Sequence, residues 1–246
     1  MNNSKIAVVT GSSYGLGLSI TKLLLSNDFK VYGISRSKPK IIDKNFVYIK
    51  ADLLVDKSYE IIKSVVVEER IDLLVNNAGV VFAEKALEFT QTIFDKTFGL
   101  NLIVPIRLTS ILKRKLKNGI VVNISSTSDR FAEDRIGMYC ASKSALDIYF
   151  DAVAIENKDI KVLNILPVYI DTPMLKDISE KLKFSTDGAT KSEKVAEVSM
   201  EIINRSNDFE SGSRIMILSD KTLDEATNPE KLWYYNIDTR EFKKVN

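Results

Sequence analysis

A phenol and an amine stand four residues apart in this sequence. They are Tyr139 and Lys143, in a stretch from Gly137 to Asn157 with helical patterning. Residues at i and i+4 share one helix face. A phenol beside an ammonium is a proton-exchange pair, because a neighbouring cation favours the ionised phenol. The spacing alone is weak evidence. Tyr59 and Lys63 repeat it, and that pair reads as a surface pair on another helix. The residue thirteen places upstream separates the two. Before Tyr139 it is Ser126, which ends the apolar run Ile120-Val121-Val122-Asn123-Ile124-Ser125-Ser126; before Tyr59 it is Phe46. Carboxyl ends of strands are where ligands bind in open α/β sheets. Ser125 is the competing hydroxyl. The chain has no histidine, which excludes Ser-His-Asp chemistry, Cys-His chemistry and the usual zinc ligand sets. Cys140 adjoins Tyr139, but successive helix residues diverge by about 100°, so it reads as packing rather than as a nucleophile.

Two further segments could hold a ligand. Thr10-Gly11-Ser12-Ser13-Tyr14-Gly15-Leu16-Gly17 joins an apolar run to a helical pattern, with glycines spaced G-x-x-x-G-x-G. This is neither G-x-G-x-x-G nor a P-loop, which needs Gly-Lys-Ser/Thr. Glycine permits backbone angles and approaches that a Cβ blocks, and a helix N-terminus offers free N–H groups to a pyrophosphate. A plain strand–helix turn is the other reading. Asn76-Asn77-Ala78-Gly79 follows Leu73-Leu74-Val75 and also sits at a strand end.

The elements that must position these residues follow from periodicity. Strands are expected at Ile6 to Thr10, Lys30 to Ile34, Phe46 to Lys50, Ile71 to Val75, Gly119 to Ser125, Ile160 to Ile165 and Arg214 to Leu218. Helices are expected at Gly15 to Ser26, Ser58 to Glu69, Gln91 to Lys117, Gly137 to Asn157 and Lys191 to Asn204. Pro105 kinks or restarts the third of these. Strands this apolar are covered by helices on both faces, and β–α alternation argues an α/β fold with one doubly wound, parallel sheet. The 246 residues suit a single domain over 1–246. In the tail from 220, of unclear role, Trp233-Tyr234-Tyr235 reads as a strand or a packing patch.

Bulk properties narrow the setting. Hydrophobic residues make 45% and charged residues 28%, a globular balance. A net charge of +2 suggests no polyanion partner, and Lys113-Arg114-Lys115 and Lys243-Lys244 read as solvated faces, so no nucleic acid is expected. No apolar stretch is long enough to span a bilayer. One cysteine and no signal-peptide pattern lead us to expect a cytoplasmic protein.

Thr10 to Gly17, Asn76 to Gly79, Asn101, Ser126, Tyr139 and Lys143 together resemble the motif set of the short-chain dehydrogenase/reductase family, in its order and spacing, from Lys5 to about Thr172. The resemblance implies a Rossmann-type nucleotide-binding oxidoreductase that moves hydride between a nicotinamide and a carbonyl or alcohol substrate. It implies a catalytic set of Asn101, Ser126, Tyr139 and Lys143. Tyr139 is then the general acid or base, with its pKa lowered from about 10 by the lysine ammonium and the cationic nicotinamide. Lys143 also bonds the ribose, Ser126 holds the substrate oxygen, and Asn101 supports a water relay; a cap or helix kink is the alternative for Asn101. Cofactor contacts fall on Gly11, Ser13, Tyr14, Leu16, Ser35, Arg36, Asp52, Leu53, Asn77, Ala78, Gly79, Pro167, Ile170 and Thr172, besides Tyr139 and Lys143. Asn77 also reads as a tie between strands, and Asp52 as a turn aspartate. The segment 173–190 corresponds to a substrate lid, and pairing through the two long helices implies a homodimer or homotetramer.

The cofactor is expected to be NADP(H). Ser35 stands where NAD enzymes of this fold place an acidic residue, and Arg36 follows it. Arginine can bond the 2′-phosphate in a forked geometry; an ordinary solvated arginine is the alternative. Two departures stand out. Pro167-Val168 replaces the family's Pro-Gly, and valine disfavours positive φ. Ser211-Gly212-Ser213 replaces a glycine pair. Two rival functions remain: a dinucleotide-sensing protein without turnover on the same fold, and a nucleotide-sugar epimerase or dehydratase, which favours another glycine spacing and a larger C-terminal region.

Overall fold

The computed structural model describes residues 4–220, 222 and 232–244. The chain runs β1 (Ile6–Thr10), α1 (Gly15–Ser26), β2 (Lys30–Ser35), β3 (Phe46–Lys50), α2 (Lys57–Val65) and β4 (Leu73–Asn76). Then come α3 (Gln91–Phe98), a π-helical turn (Gly99–Ile103), α4 (Val104–Leu112), β5 (Ile120–Ile124), α5 (Gly137–Glu156) and β6 (Lys161–Pro167). The remainder holds β7 (Ile170–Asp171), α6 (Pro173–Leu182), β8 (Thr190–Lys191), α7 (Ser192–Asn204), β9 (Ser213–Leu218), β10 (Leu232–Asn236) and β11 (Glu241–Lys244).

Nine strands form one sheet in the order β11-β10-β9-β6-β5-β4-β1-β2-β3. All neighbours are parallel except β10 and β11. Helices cover both faces, as the apolar strands require. Leu16, Ile20 and Leu24 of α1 and Val195, Ile202 and Ile203 of α7 pack on one face. Tyr59 and Ile62 of α2, Leu108 and Leu112 of α4, and Leu146 and Phe150 of α5 pack on the other. The strand order reverses at β1, which pairs with both β2 and β4, and there the carboxyl ends part to leave a crevice. A buried asparagine ladder pins the register across the centre. Asn76 Nδ2 donates to Asn123 Oδ1 at 2.9 Å, and Asn123 Nδ2 to Asn164 Oδ1 at 2.8 Å. A slip of one residue would break both bonds in a dry interior.

Of the two readings of Trp233-Tyr234-Tyr235, the strand is the one observed: β10 continues the parallel sheet beside β9, and β11 folds back antiparallel at its edge. Tyr235 and Phe242 close on Phe209 in an aromatic cluster. Other expectations are corrected. The helix expected over Gln91 to Lys117 breaks into α3, a π turn and α4. Pro105 has no N–H and cannot return the α-helical bond to the carbonyl of Asn101, and the π turn takes up the misfit. The helix expected to reach Glu69 ends at Val65, and 173–182, expected only as a variable lid, is the helix α6. Tyr59 is no surface residue. It is buried, its hydroxyl donates to Leu53 O at 2.9 Å, and only Lys63 of that pair is exposed.

Candidate active site

A cleft of about 1010 Å³ opens along the carboxyl ends of the parallel strands. Its floor is the turn after β1. Gly11 and Gly15 hold φ of 69° and 56°, angles that disfavour any side chain. Gly17 has a different reason to be glycine. A Cβ there would lie 2.2 Å from Gly11 O and 2.3 Å from Asn77 Nδ2, so the turn closes on α1 only without one. The first turn of α1 has no side-chain cap and no acidic residue, which leaves its N–H groups to an anion. Thr10 ties this turn to the strand beside it: its Oγ1 accepts from the N–H groups of Asn77 and Ala78 at 2.9 and 3.0 Å. Asn77 Nδ2 donates back to Thr10 O at 2.9 Å, so Asn77 is a tie between strands as well as a lining residue.

At the other end stand the residues of the phenol–amine pair. Both lie on α5 and line the cleft. The Tyr139 hydroxyl is hydrogen-bonded with Ser126, which starts the loop after β5. Lys143 Nζ donates to Ile124 O at 2.7 Å and lies 5.6 Å from the centre of the Tyr139 ring. The two serines are told apart by geometry. Ser125 Oγ donates to the buried Asp147 at 2.7 Å, whereas Ser126 Oγ faces Tyr139 and donates to Ser128 Oγ at 3.1 Å. Asn101 does not bond Lys143 through its side chain. Its Oδ1 accepts from Val80 N–H at 2.8 Å, and its Nδ2 donates to Val80 O and Ser142 Oγ, each at 2.9 Å. It thus ties the segment after Gly79 to α5, from within the π turn.

The protein by itself does not lower the phenol. Burial pushes Tyr139 up to about 12, against the Ser126 hydrogen bond, and nearby carboxylates add to the rise. Burial pushes the Lys143 amine down to about 8, with Asp147 opposing. Asp147 is itself held well above the carboxylate range by burial and by Asp129 beside it. The sequence-based expectation of a depressed phenol, which rests on the lysine and the positive nicotinamide together, thus has to overcome this burial.

The remaining residues named from sequence divide by place. Gly11, Ser13, Tyr14, Leu16, Ser35, Arg36, Asp52, Leu53, Asn77, Ala78, Gly79, Pro167, Ile170 and Thr172 all line the cleft, while Asn101 lies behind it. Asp52 also makes the turn expected of it, accepting from Leu54 N–H at 3.1 Å. Val168 takes no positive φ, unlike Asp28, Asn118, Arg135, Lys183 and Arg240; it packs against Leu166, Met216 and Leu218. The chain therefore turns there without the glycine angle. Thr172 caps α6, accepting from Leu175 N–H at 3.3 Å. Paired β7 and β8 close the base of that helix, and Leu175 and Ile178 pack onto Ile136 and Cys140 beside Tyr139. Cys140 is buried there, as packing.

The family model described as short chain dehydrogenase matches residues 5–183. The chain belongs to the short-chain dehydrogenase family. Among its relatives is the L-xylulose reductase of Bos taurus, 31% identical over 179 residues, 68% of this chain and 72% of the relative. Another is the benzil reductase ((S)-benzoin forming) of Bacillus subtilis, 25% identical over 233 residues, 89% of this chain and 95% of the relative. A solved structure of ElxO with NADP bound is 26% identical, with a TM-score of 0.76 over 87% of this chain and 96% of that one. This short-chain dehydrogenase is accordingly an NAD(P)-dependent oxidoreductase on an α/β Rossmann-like fold.

The cleft fits a dinucleotide on its own terms. The glycine turn is a cradle that a Cβ at Gly17 would fill, and the buried Lys143 amine has one backbone acceptor for its three protons. Sequence reasoning missed several lining residues, among them Lys96, Glu133 and Asp134. Glu133 and Asp134 lie in an irregular loop, where no period announces them. The serine-to-tyrosine spacing was the only signal that this loop adjoins the site. Among the described residues no helix is long and apolar enough to cross a membrane.

Proposed function

We propose that this short-chain dehydrogenase is an NADP(H)-dependent oxidoreductase of a small or medium-sized carbonyl or alcohol compound. The observation that carries the reading is the meeting of Ser126, Tyr139 and Lys143 at the inner end of a cleft floored by the glycine turn. NADPH, when bound, supplies the hydride. Ser126 holds the substrate oxygen, and Tyr139 gives it a proton from Oη as negative charge develops there. The Lys143 ammonium favours the phenolate left behind and bonds the nicotinamide ribose. In the reverse direction Tyr139 takes the alcohol proton. Asn101 acts through the tie it makes between Val80 and Ser142. The names of the reductase relatives support a carbonyl substrate.

Cofactor choice rests on the end of β2. Ser35 is buried, with its hydroxyl donating to Ser37 O at 2.8 Å, and Arg36 is exposed at the cleft rim with no carboxylate at the neighbouring position to repel a 2′-phosphate. The likeness to ElxO with NADP bound points the same way. A charged hydrogen bond is worth about 1.5–3 kcal/mol, so NADPH should be preferred on the order of ten- to a hundredfold. Titration of wild type and Arg36→Ala with NADPH and NADH tests this. The variant should lose most of the preference while binding NADH about as before; equal affinities in wild type would sink the assignment.

We further propose one domain over 1–246, a lid over 173–190 and a homo-oligomer in the cytoplasm. Phe94, Ile103, Ile148, Tyr149 and Ile155 are exposed on the α3–α4 and α5 segments, which supports pairing through that face. The buried, free Cys140 suits a reducing compartment. The +2 charge supports no nucleic-acid partner. For the lid, backbone hydrogen exchange over 174–188 should slow when cofactor and substrate are both bound. Unchanged exchange there would remove the lid from the mechanism.

A further inference from the structure

The two halves of the cleft differ in charge. The cofactor half carries Arg36 and one carboxylate, Asp52, and Lys96 lines both this cleft and a smaller one beside Leu53, Leu54 and Arg107. At the substrate half stand Glu133 and Asp134, and the one cation there among the described residues is Lys143. Neither carboxylate is in an ion pair with a described lysine or arginine. Glu133 is held in place. Ser128 Oγ donates to its carboxylate, and Ser128 in turn accepts from Ser126 Oγ at 3.1 Å. A negative charge thus lies one hydroxyl, that of Ser128, from the serine that faces Tyr139.

The walls around this charge are apolar. Leu175, Ile178 and Leu182 of α6 face Ile136, and the Tyr169 and Phe184 rings lie 5.5 Å apart. We propose that Glu133 is a specificity-determining residue: it makes the site select uncharged carbonyl compounds with an apolar or aromatic body and reject those with a carboxylate or phosphate beside the reacting carbonyl. This rests on the function proposed above and names its substrate class. A substrate carboxylate next to a carbonyl held by Ser126 would face Glu133 across the Ser128 hydroxyl. Apolar walls supply the attraction and the fixed charge supplies the exclusion, the two parts of a specific site. Like charges about 6 Å apart at an effective dielectric near 20 repel enough to discriminate on the order of ten- to a hundredfold.

The test uses ethyl benzoylformate and benzoylformate, the same aromatic ketone as a neutral ester and as an anion. Wild type and Glu133→Gln are assayed for cofactor consumption and for quenching of the bound cofactor's fluorescence, with whichever of NADPH and NADH binds. Glutamine keeps an oxygen for Ser128, so the loop should hold. Wild type should favour the ester by about tenfold or more in kcat/KM. The variant should raise kcat/KM for the acid relative to the ester by about tenfold and leave cofactor affinity nearly unchanged. Equal use of acid and ester by wild type would overturn the proposal, as would a preference that survives in the variant. So would failure of both compounds to bind the cofactor complex. If neither dinucleotide bound at all, the proposed function itself would fall, and this inference with it.

Discussion

Replacing Tyr139 with phenylalanine should leave dinucleotide affinity within about twofold and lower turnover by about 10²–10⁴-fold, the usual contribution of a placed acid or base. The ring stays among Ile136, Leu175 and Ile178, so the lid and the cleft keep their packing. What goes is one transferable proton, hydrogen-bonded with Ser126 and within reach of the Lys143 charge. The loss should persist at every pH. In wild type the pH profile of alcohol oxidation should rise at alkaline pH, because the protein alone holds the phenol near 12. Bound oxidised cofactor should bring that limb down by adding positive charge. Tyr59→Phe is the matched control. It removes the bond to Leu53 O and should cost about 1 kcal/mol of stability, with turnover per folded molecule unchanged. Wild-type turnover in Tyr139→Phe would refute the assignment outright.

Lys143→Met should abolish turnover and at the same time raise the melting temperature of the cofactor-free protein at pH 7. The amine is buried and its pKa falls from 10.5 to about 8 on folding. A lysine lowered in this way binds its proton more tightly in the unfolded chain. Its contribution is therefore destabilising below about pH 8 and fades as pH rises toward 10.5, by roughly 3 kcal/mol in all. Methionine fills a similar volume without charge. It gives up the bond to Ile124 O, worth about 1–1.5 kcal/mol. The net gain should be roughly 1–2 kcal/mol, or roughly 2–8 °C for a chain of this size, and should shrink as the pH is raised toward 10. Such a trade of stability for function is common where a charge is kept in a dry site. A variant that melts several degrees below wild type at pH 7 would mean that the ammonium is well solvated or well paired, contrary to the geometry described.

Much of this molecule is local chemistry, and local chemistry is legible from a linear sequence. The apolar runs that became β1, β4, β5 and β6 could be read because a strand covered on both faces admits few other residues. Tyr139 and Lys143 could be paired because helical spacing fixes a shared face whatever the helix packs against. The glycines at 11, 15 and 17 marked a turn at a helix N-terminus. The joint order of these motifs led to the family. Other features depend on contacts between residues far apart in the chain, and no period encodes those. Gly17 is needed because Gly11 O and Asn77 Nδ2 come close to it, and Tyr59 is buried because Leu53 turns back over it. The π turn at Asn101 depends on Pro105 together with the bonds to Val80 and Ser142. Strand β10 pairs with the edge that β9 leaves, and β11 pairs with β10. Burial works against the lowering expected of the phenol from the lysine and the cationic nicotinamide together: in the protein alone desolvation, which a sequence does not display, lifts it to about 12. The sequence determined which groups could react; tertiary structure decided their surroundings, because solvent exclusion and charge act through distance in space rather than along the chain.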